Sequence, residues 1–367
     1  MYRKFLLAPD KFKGTFHAEE LCELLSEAVL NRFPNAEIRA IPMTDGGEGM
    51  TNAYLRIRGG REERVVVTGP DGNPVEATYG ILTDGTGVAE MSAAAGLARL
   101  TGAPDPLNAT TAGVGEMLLA MRRAGAKRIL LGIGGSATND CGVGMAAAMG
   151  WKFFDEFGSP VEPKAKNLFL IEHIERPETP FGLEVTAACA VANPLWGPEG
   201  ATLRFGDRKG AIGETADLLE VGIRHFAAVL ARELDAKTAS LRGAGSGGGL
   251  GAGAVAFLNA ELCPGAGHLI ESANFREFIK NSDIVITGEG RLDGRSANGK
   301  VVAEVGHCAK EAGIPCIALC GCFGPGAEDL YGHGVTGMFS AVNGRETLAS
   351  KEDILLLADN VLRLLEV

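Results

Sequence analysis

Aromatic residues make up only 6% of this 367-residue chain, which argues against a nucleic-acid stacking platform or a lectin-like sugar site. An excess of positive charge is missing too. The net charge of -11 gives no electrostatic footprint for nucleic acid or an anionic membrane surface, although a local basic pocket remains allowed. Cysteines lack paired spacing: Cys316, Cys320 and Cys322 form the only close group, so the thiols read as reduced and mostly buried rather than as a zinc site or disulfide framework. His17, His173, His225, His268, His307 and His333 show no H-E-x-x-H spacing, and no G-x-S-x-G elbow occurs. Zinc and serine hydrolases therefore lack support. No apolar stretch approaches the roughly 20 uncharged residues of a membrane span. Pro9-Asp10-Lys11 cuts the N-terminal apolar run before a signal-peptide core forms, so a cytoplasmic enzyme is the expectation.

What is present is glycine, 52 residues of it, clustered after apolar runs as in an enzyme with many strand-to-helix turns. The 46% hydrophobic and 22% charged contents suit a folded chain, and its length favours two domains. Residues 5–9 read as a strand, 18–33 as an amphipathic helix and 36–43 as a second strand, a β-α-β unit with Asp10 and Asp45 at its strand ends. Parallel strands would put both acids at one sheet edge. Segments 63–68, 75–82 and 88–91 are short strands separated by turns, an antiparallel opening to another domain. The β-α alternation returns from residue 283. The expected architecture is α/β: a Rossmann/flavodoxin-like parallel-sheet domain made of both termini, residues 1–60 and 282–367. A second, mixed-sheet domain, residues 61–281, is inserted within it.

Chemistry concentrates in a few loops. Thr44-Asp45-Gly46-Gly47-Glu48-Gly49 sets two carboxylates among glycines directly after an apolar run, where a charged ligand can approach the backbone closely. Gly288-Glu289-Gly290-Arg291-Leu292-Asp293 repeats the arrangement. Lys300 at a helix start, and Lys13 after the first strand, are placed to meet phosphate, although surface lysines are ordinarily just solvated. A third loop runs from Gly132 through Gly134, Ser136, Thr138 and Asn139 to Asp140; it suits phosphate on backbone N–H groups, while Asp140 alone suits a helix cap. The run around Gly249 is a further place for close backbone approach, or only a hinge. These parts fit phosphoryl transfer, in which acids hold Mg²⁺ or accept a hydroxyl proton. Gly132 and Gly134 with Asp155 also mimic a dinucleotide fingerprint, which keeps an NAD-dependent dehydrogenase open.

Taken together, the motifs resemble the bacterial type 1 glycerate kinases. The likeness runs through APDKFKGTF (residues 8–16), PMTDGGEGM (42–50), VTGPDGNPVEATYGIL (67–82), TTAGVGEML (110–118), LGIGGSATND (131–140), NPLWGPEGA (193–201), GGGLGAG (247–253) and VITGEGRLDGRSANGK (285–300). It implies ATP-dependent phosphorylation of D-glycerate, usually to 2-phosphoglycerate, by a two-domain α/β enzyme with its site in the interdomain cleft. On this reading Lys13, Asp45, Arg291 and Lys300 serve catalysis, and Glu48, Glu289 and Asp293 are candidates for Mg²⁺. Asp10, Gly46, Gly47, Ser136, Thr138, Asn139, Asp140 and Gly249 line substrate or phosphate. The family's A-C-D-V before N-P-L reads here Ala188-Cys189-Ala190-Val191, so a carboxylate expected at position 190 is missing. Its loss keeps open a non-catalytic glycerate or nucleotide sensor. Phe205-Gly206-Asp207-Arg208-Lys209-Gly210 replaces the usual F-G-P-Q-K-G, and Lys11 stands where Ser is common. The oligomeric state, a homo-oligomer included, is left open.

Overall fold

The computed structural model describes residues 2–297, 299–342 and 348–366. Among these, the strands in chain order are β1 (Lys4–Pro9), β2 (Glu37–Ala40), β3 (Gly60–Thr68), β4 (Pro74–Leu82), β5 (Thr86–Glu90), β6 (Arg128–Ile133), β7 (Lys152–Phe154), β8 (His173–Glu175), β9 (Glu184–Cys189), β10 (Glu261–Pro264), β11 (Ile284–Leu292), β12 (Cys316–Phe323) and β13 (Gly337–Ser340). They fall into two units, Met1–Asp45 with Ala266–Val367, and Gly46–Gly265. The sequence reading set its limits at 60 and 281 instead. Two segments account for the difference. Helix Met50–Arg58 packs on β4 and β5 of the inserted unit, and helix Phe275–Lys280 packs on helix Val301–Ala312 of the other.

The unit containing the termini holds a five-stranded sheet in the order β13-β12-β11-β1-β2, with every pair parallel. Counted within the unit this is the flavodoxin-like order 2-1-3-4-5. β1 lies inside the sheet and is buried on both faces, which is why residues 5–8, Phe-Leu-Leu-Ala, read as a continuous apolar run. Helices Ala18–Arg32 and Lys351–Leu364 pack around Leu25, Val29, Ala358 and Val361 on one face. Helix Val301–Ala312 packs on β1, β11 and β12. Strand order reverses between β1 and β11. Such a switch point opens a crevice beyond the carboxyl ends of the two strands, the usual ligand position in open α/β sheets.

The inserted unit is built on a six-stranded sheet, β10-β9-β6-β5-β4-β3. β3, β4 and β5 form the antiparallel meander that the turns predict, and β5, β6, β9 and β10 run parallel. Helices Ala112–Arg123, Val143–Ala148, Glu214–Leu234 and Leu250–Leu258 share one core with the sheet, including Met117, Met121, Phe226 and Phe257. β7 and β8 form a separate two-stranded ribbon. Among the described residues no helix is long and apolar enough to cross a membrane.

Candidate active site

At the switch point of the first unit, Asp10 extends β1 and donates its N–H to the Gly288 carbonyl at 2.8 Å, so backbone pairing fixes where its carboxylate starts. The residue is 4% exposed. Burial pushes its carboxyl up to about 7; Lys11 pulls it down, and the nearby Asp45 and Glu289 push it further up. Lys11 Nζ lies 3.6 Å from Asp10 Oδ1 and 4.0 Å from Asp45 Oδ1. Glu289, on β11, is buried and its carboxyl is also raised, chiefly by burial. One of its oxygens meets Lys300 Nζ at 3.3 Å, while Oε1 is buried without a hydrogen-bond partner. For Lys300, burial works against the ammonium, and Glu289, Asp45 and Asp10 outweigh it, so its pKa is raised.

The expected metal trio is not one cluster. Asp293 is tied to Arg295 at 2.8 Å and lies 3.5 Å from Arg291. Burial raises its carboxyl, but the Arg295 hydrogen bonds outweigh that and hold it below the ordinary range. Glu48 is exposed and belongs to the other unit. The acids that do gather are Asp10, Asp45 and Glu289, each acting electrostatically on its neighbours. Lys13 and Arg291 are exposed. Sequence reasoning gave Lys11 no role, yet it faces two of the acids. Its signal was only a departure from a common Ser.

In the inserted unit the residues after β6 turn inward. Ser136 is 5% exposed, and Thr138, Asn139 and Asp140 are fully buried. Asp140 accepts hydrogen bonds from Thr111 N and Oγ1, both at 2.8 Å, and from the N–H groups of Gly142 and Gly144. Asp140 is not the N-cap of the following helix, which is Gly142, but both its oxygens are engaged by Thr111 and by N–H groups at that helix start, so it holds the fold rather than a ligand. Burial raises its carboxyl even against those donors. Behind the same loop, Lys209 Nζ donates to Ser136 Oγ at 2.7 Å, to the Thr138 carbonyl at 2.7 Å and to Asn139 Oδ1 at 3.3 Å. Burial pulls this ammonium down to about 7, with Asp140 and Cys141 opposing. Asn139 in turn donates to Thr202 Oγ1 at 2.8 Å.

The glycines of both motifs serve close packing. A Cβ on Gly46, whose φ is +95°, would lie 2.5 Å from the Ala188 carbonyl oxygen at the end of β9. Gly47 rests against Gly134. Gly249 is corrected in the same way: at φ +87°, a Cβ there would meet Cys141 Sγ at 2.6 Å, so its approach is to protein rather than to a ligand. Glu90, at the end of β5, accepts from the N–H groups of Gly49 and Thr51 at 3.0 Å each and so seals the start of helix Met50–Arg58. Nothing in the sequence marked it, since it is a lone acid with no glycine beside it. Ala190 follows β9, its N–H on the Ile133 carbonyl at 3.2 Å. A carboxylate there would stand at the carboxyl ends of β6 and β9.

The dinucleotide reading does not survive. Asp155 sits in the turn after β7, outside the main sheet, accepting from Phe157 N and Ser159 N at 2.9 and 2.8 Å. A ribose-binding acid belongs at the end of a neighbouring parallel strand.

Comparison with known proteins gives a consistent picture. The model of the Glycerate kinase family matches residues 5–365. A glycerate kinase of Bacillus subtilis (strain 168) is 38% identical over 93% of this chain and 91% of its own length. A glycerate 2-kinase of Escherichia coli (strain K12) is 37% identical over 94% and 92%. A crystal structure provisionally assigned as glycerate kinase 2 of Salmonella typhimurium LT2 superposes with a TM-score of 0.81 at 32% identity, covering 100% of this chain and 99% of that one.

Proposed function

The chain belongs to the glycerate kinase family and is a kinase that phosphorylates glycerate with ATP; from that premise we propose how its residues divide the work. The observation that supports the assignment is the gathering of Asp10, Asp45, Glu289 and Lys300 at the switch point of the parallel sheet. Phosphoryl transfer needs charge neutralisation and a proton acceptor more than it needs covalent chemistry. Asp45, less enclosed than its neighbours, accepts the proton of the attacking hydroxyl. Lys300, with Lys11, Lys13 and Arg291, meets phosphate oxygens and the glycerate carboxylate. Within the inserted unit, the loop Gly134–Asn139 at the carboxyl end of β6 is the segment suited to hold an anionic group through its backbone. The substrate is D-glycerate and the product 2-phosphoglycerate, in the cytoplasm, with no nucleic acid or membrane as partner.

Magnesium fits this site. Among the described residues no three His, Cys, Asp or Glu side chains enclose a metal ion, but magnesium usually takes one or two carboxylates and completes its shell with phosphates and water. The unpartnered Oε1 of Glu289 and the crowded Asp10 carboxyl are the oxygens that would hold it. Bound there, the cation would supply neutralisation of phosphate charge.

A coupled ATP assay with D-glycerate, its product identified by NMR, tests the reading on the chain and on Ala190→Asp. With Asp45 as proton acceptor, both turn over within about tenfold of each other. A gain of about 10² or more in Ala190→Asp would move the acceptor to position 190. Absence of turnover in both chains would leave the sensor, and NADH-dependent reduction without ATP would restore the dehydrogenase.

A further inference from the structure

Lys209 is 5% exposed, and its hydrogen bonds all go to neutral oxygens of a single loop, those of Ser136, Thr138 and Asn139. It forms no ion pair among the described residues. Asp140, the acid that acts on it electrostatically, has both oxygens occupied by Thr111, Gly142 and Gly144. Burying an ammonium without a counter-ion is unfavourable, and an apolar side chain of similar length would fill the same space without that penalty. Packing therefore does not account for the residue. What its three donors achieve is orientation: they fix two side chains and one carbonyl within four consecutive residues. Through Asn139 they also set the amide that reaches Thr202. The lysine is itself held at the end of a turn, its N–H on the Gly206 carbonyl at 2.9 Å, beyond helix Ala201–Phe205.

We propose that Lys209 is a positioning residue for phosphoryl transfer, a tripod that holds the Ser136–Asn139 loop in the shape that receives the substrate's anionic group and acts on it only through Ser136 and Asn139. This rests on the reading of that loop as the anion-holding segment. While it is protonated, the amine behind the loop also favours a negative ligand in front of it. Ser136 and Asn139 are thereby kept from turning toward other partners.

The test compares wild type, Lys209→Met, Asn139→Ala and the double variant, with ATP and D-glycerate as substrates. The KM for D-glycerate rises tenfold or more in each single variant while kcat stays within about threefold. The double variant is no worse than the poorer single one, because both break the same link. Lys209→Met removes the uncompensated charge but leaves three buried oxygens unanswered, so its melting temperature stays near that of wild type at pH 6. Hydrogen exchange at residues 134–139 quickens in Lys209→Met. An unchanged KM in Lys209→Met, or additive losses accompanied by a lowered melting temperature, would overturn the proposal and leave Lys209 a merely structural residue. Should Lys209→Met fail to fold, Asn139→Ala breaks the link from the other side, and its unchanged KM overturns the proposal as well. A wild type without turnover defeats the kinase assignment instead; the exchange rates then decide whether Lys209 holds the loop, and unchanged rates reject it.

Discussion

Buried acids and a buried lysine make this protein's stability depend on pH in two opposite senses. For Asp10 the folded carboxyl titrates at about 7 against 3.8 when free, so between those values the native state binds more protons than the unfolded chain and stability falls as pH rises. Asp10→Asn should therefore gain on wild type across that window, by a few kcal/mol on the order of 1.4 per unit, in denaturant titrations at pH 5 and pH 8. A constant difference between the two pH values would show that Asp10 is not strained by its neighbours. Lys209 runs the other way: at about 7 against 10.5, it binds fewer protons when folded, so stability rises with pH from 7 toward 10.5. The melting temperature of wild type should thus rise relative to that of Lys209→Met between pH 7 and pH 10. For the chemistry, Asp45→Asn should lower turnover by about 10² to 10⁴ with the melting temperature unchanged, read in the coupled assay. Wild-type turnover in Asp45→Asn would remove it from the reaction.

At the scale of elements, the acidic loop owes its shape to Glu90, which answers two N–H groups at the start of helix Met50–Arg58. Glu90→Ala leaves those donors unanswered and should destabilise this helix by about 1–2 kcal/mol, seen as faster amide exchange at residues 49–52. Exchange unchanged from wild type would mean another group takes over the cap. The same helix shows where sequence reading stopped. Residues 50–58 follow a glycine loop and are too short for a clear periodicity, so the helix was not foreseen. β1 and residues 284–287 of β11 were legible because strands buried on both faces read as apolar runs, whereas the rest of β11, through Leu292, read as a loop because its glycines, Glu289 and Arg291 break the run. The loop after β6 was found through its glycines and hydroxyls. That its polar groups turn inward was not legible, because the lysine holding them lies some 70 residues downstream. Likewise the Asp293 carboxylate looked available until Arg295, two residues on, was seen folded back onto it.

At the scale of the whole chain, one unit is interrupted by the other. β1 pairs on one side with β2, close in sequence, and on the other with β11, while β3 and β4 form a hairpin joined by a short turn. Contacts of long sequence separation form slowly. Pulse-labelled refolding should protect amides of β3 and β4 before those where β1 meets β11; simultaneous protection would show that the two units fold as one. The sequence made the interruption visible, since the β-α alternation of its two ends differs from the turn-rich middle. Its limits were not visible, because a boundary is decided by what a helix packs against. The N-terminal strand has a further consequence during synthesis. About 270 residues separate the end of β1 from the start of β11, so at roughly 5–20 residues per second the ribosome leaves that apolar strand half-paired for tens of seconds. During that interval β1 offers a holding chaperone an apolar strand whose β11 edge is still open.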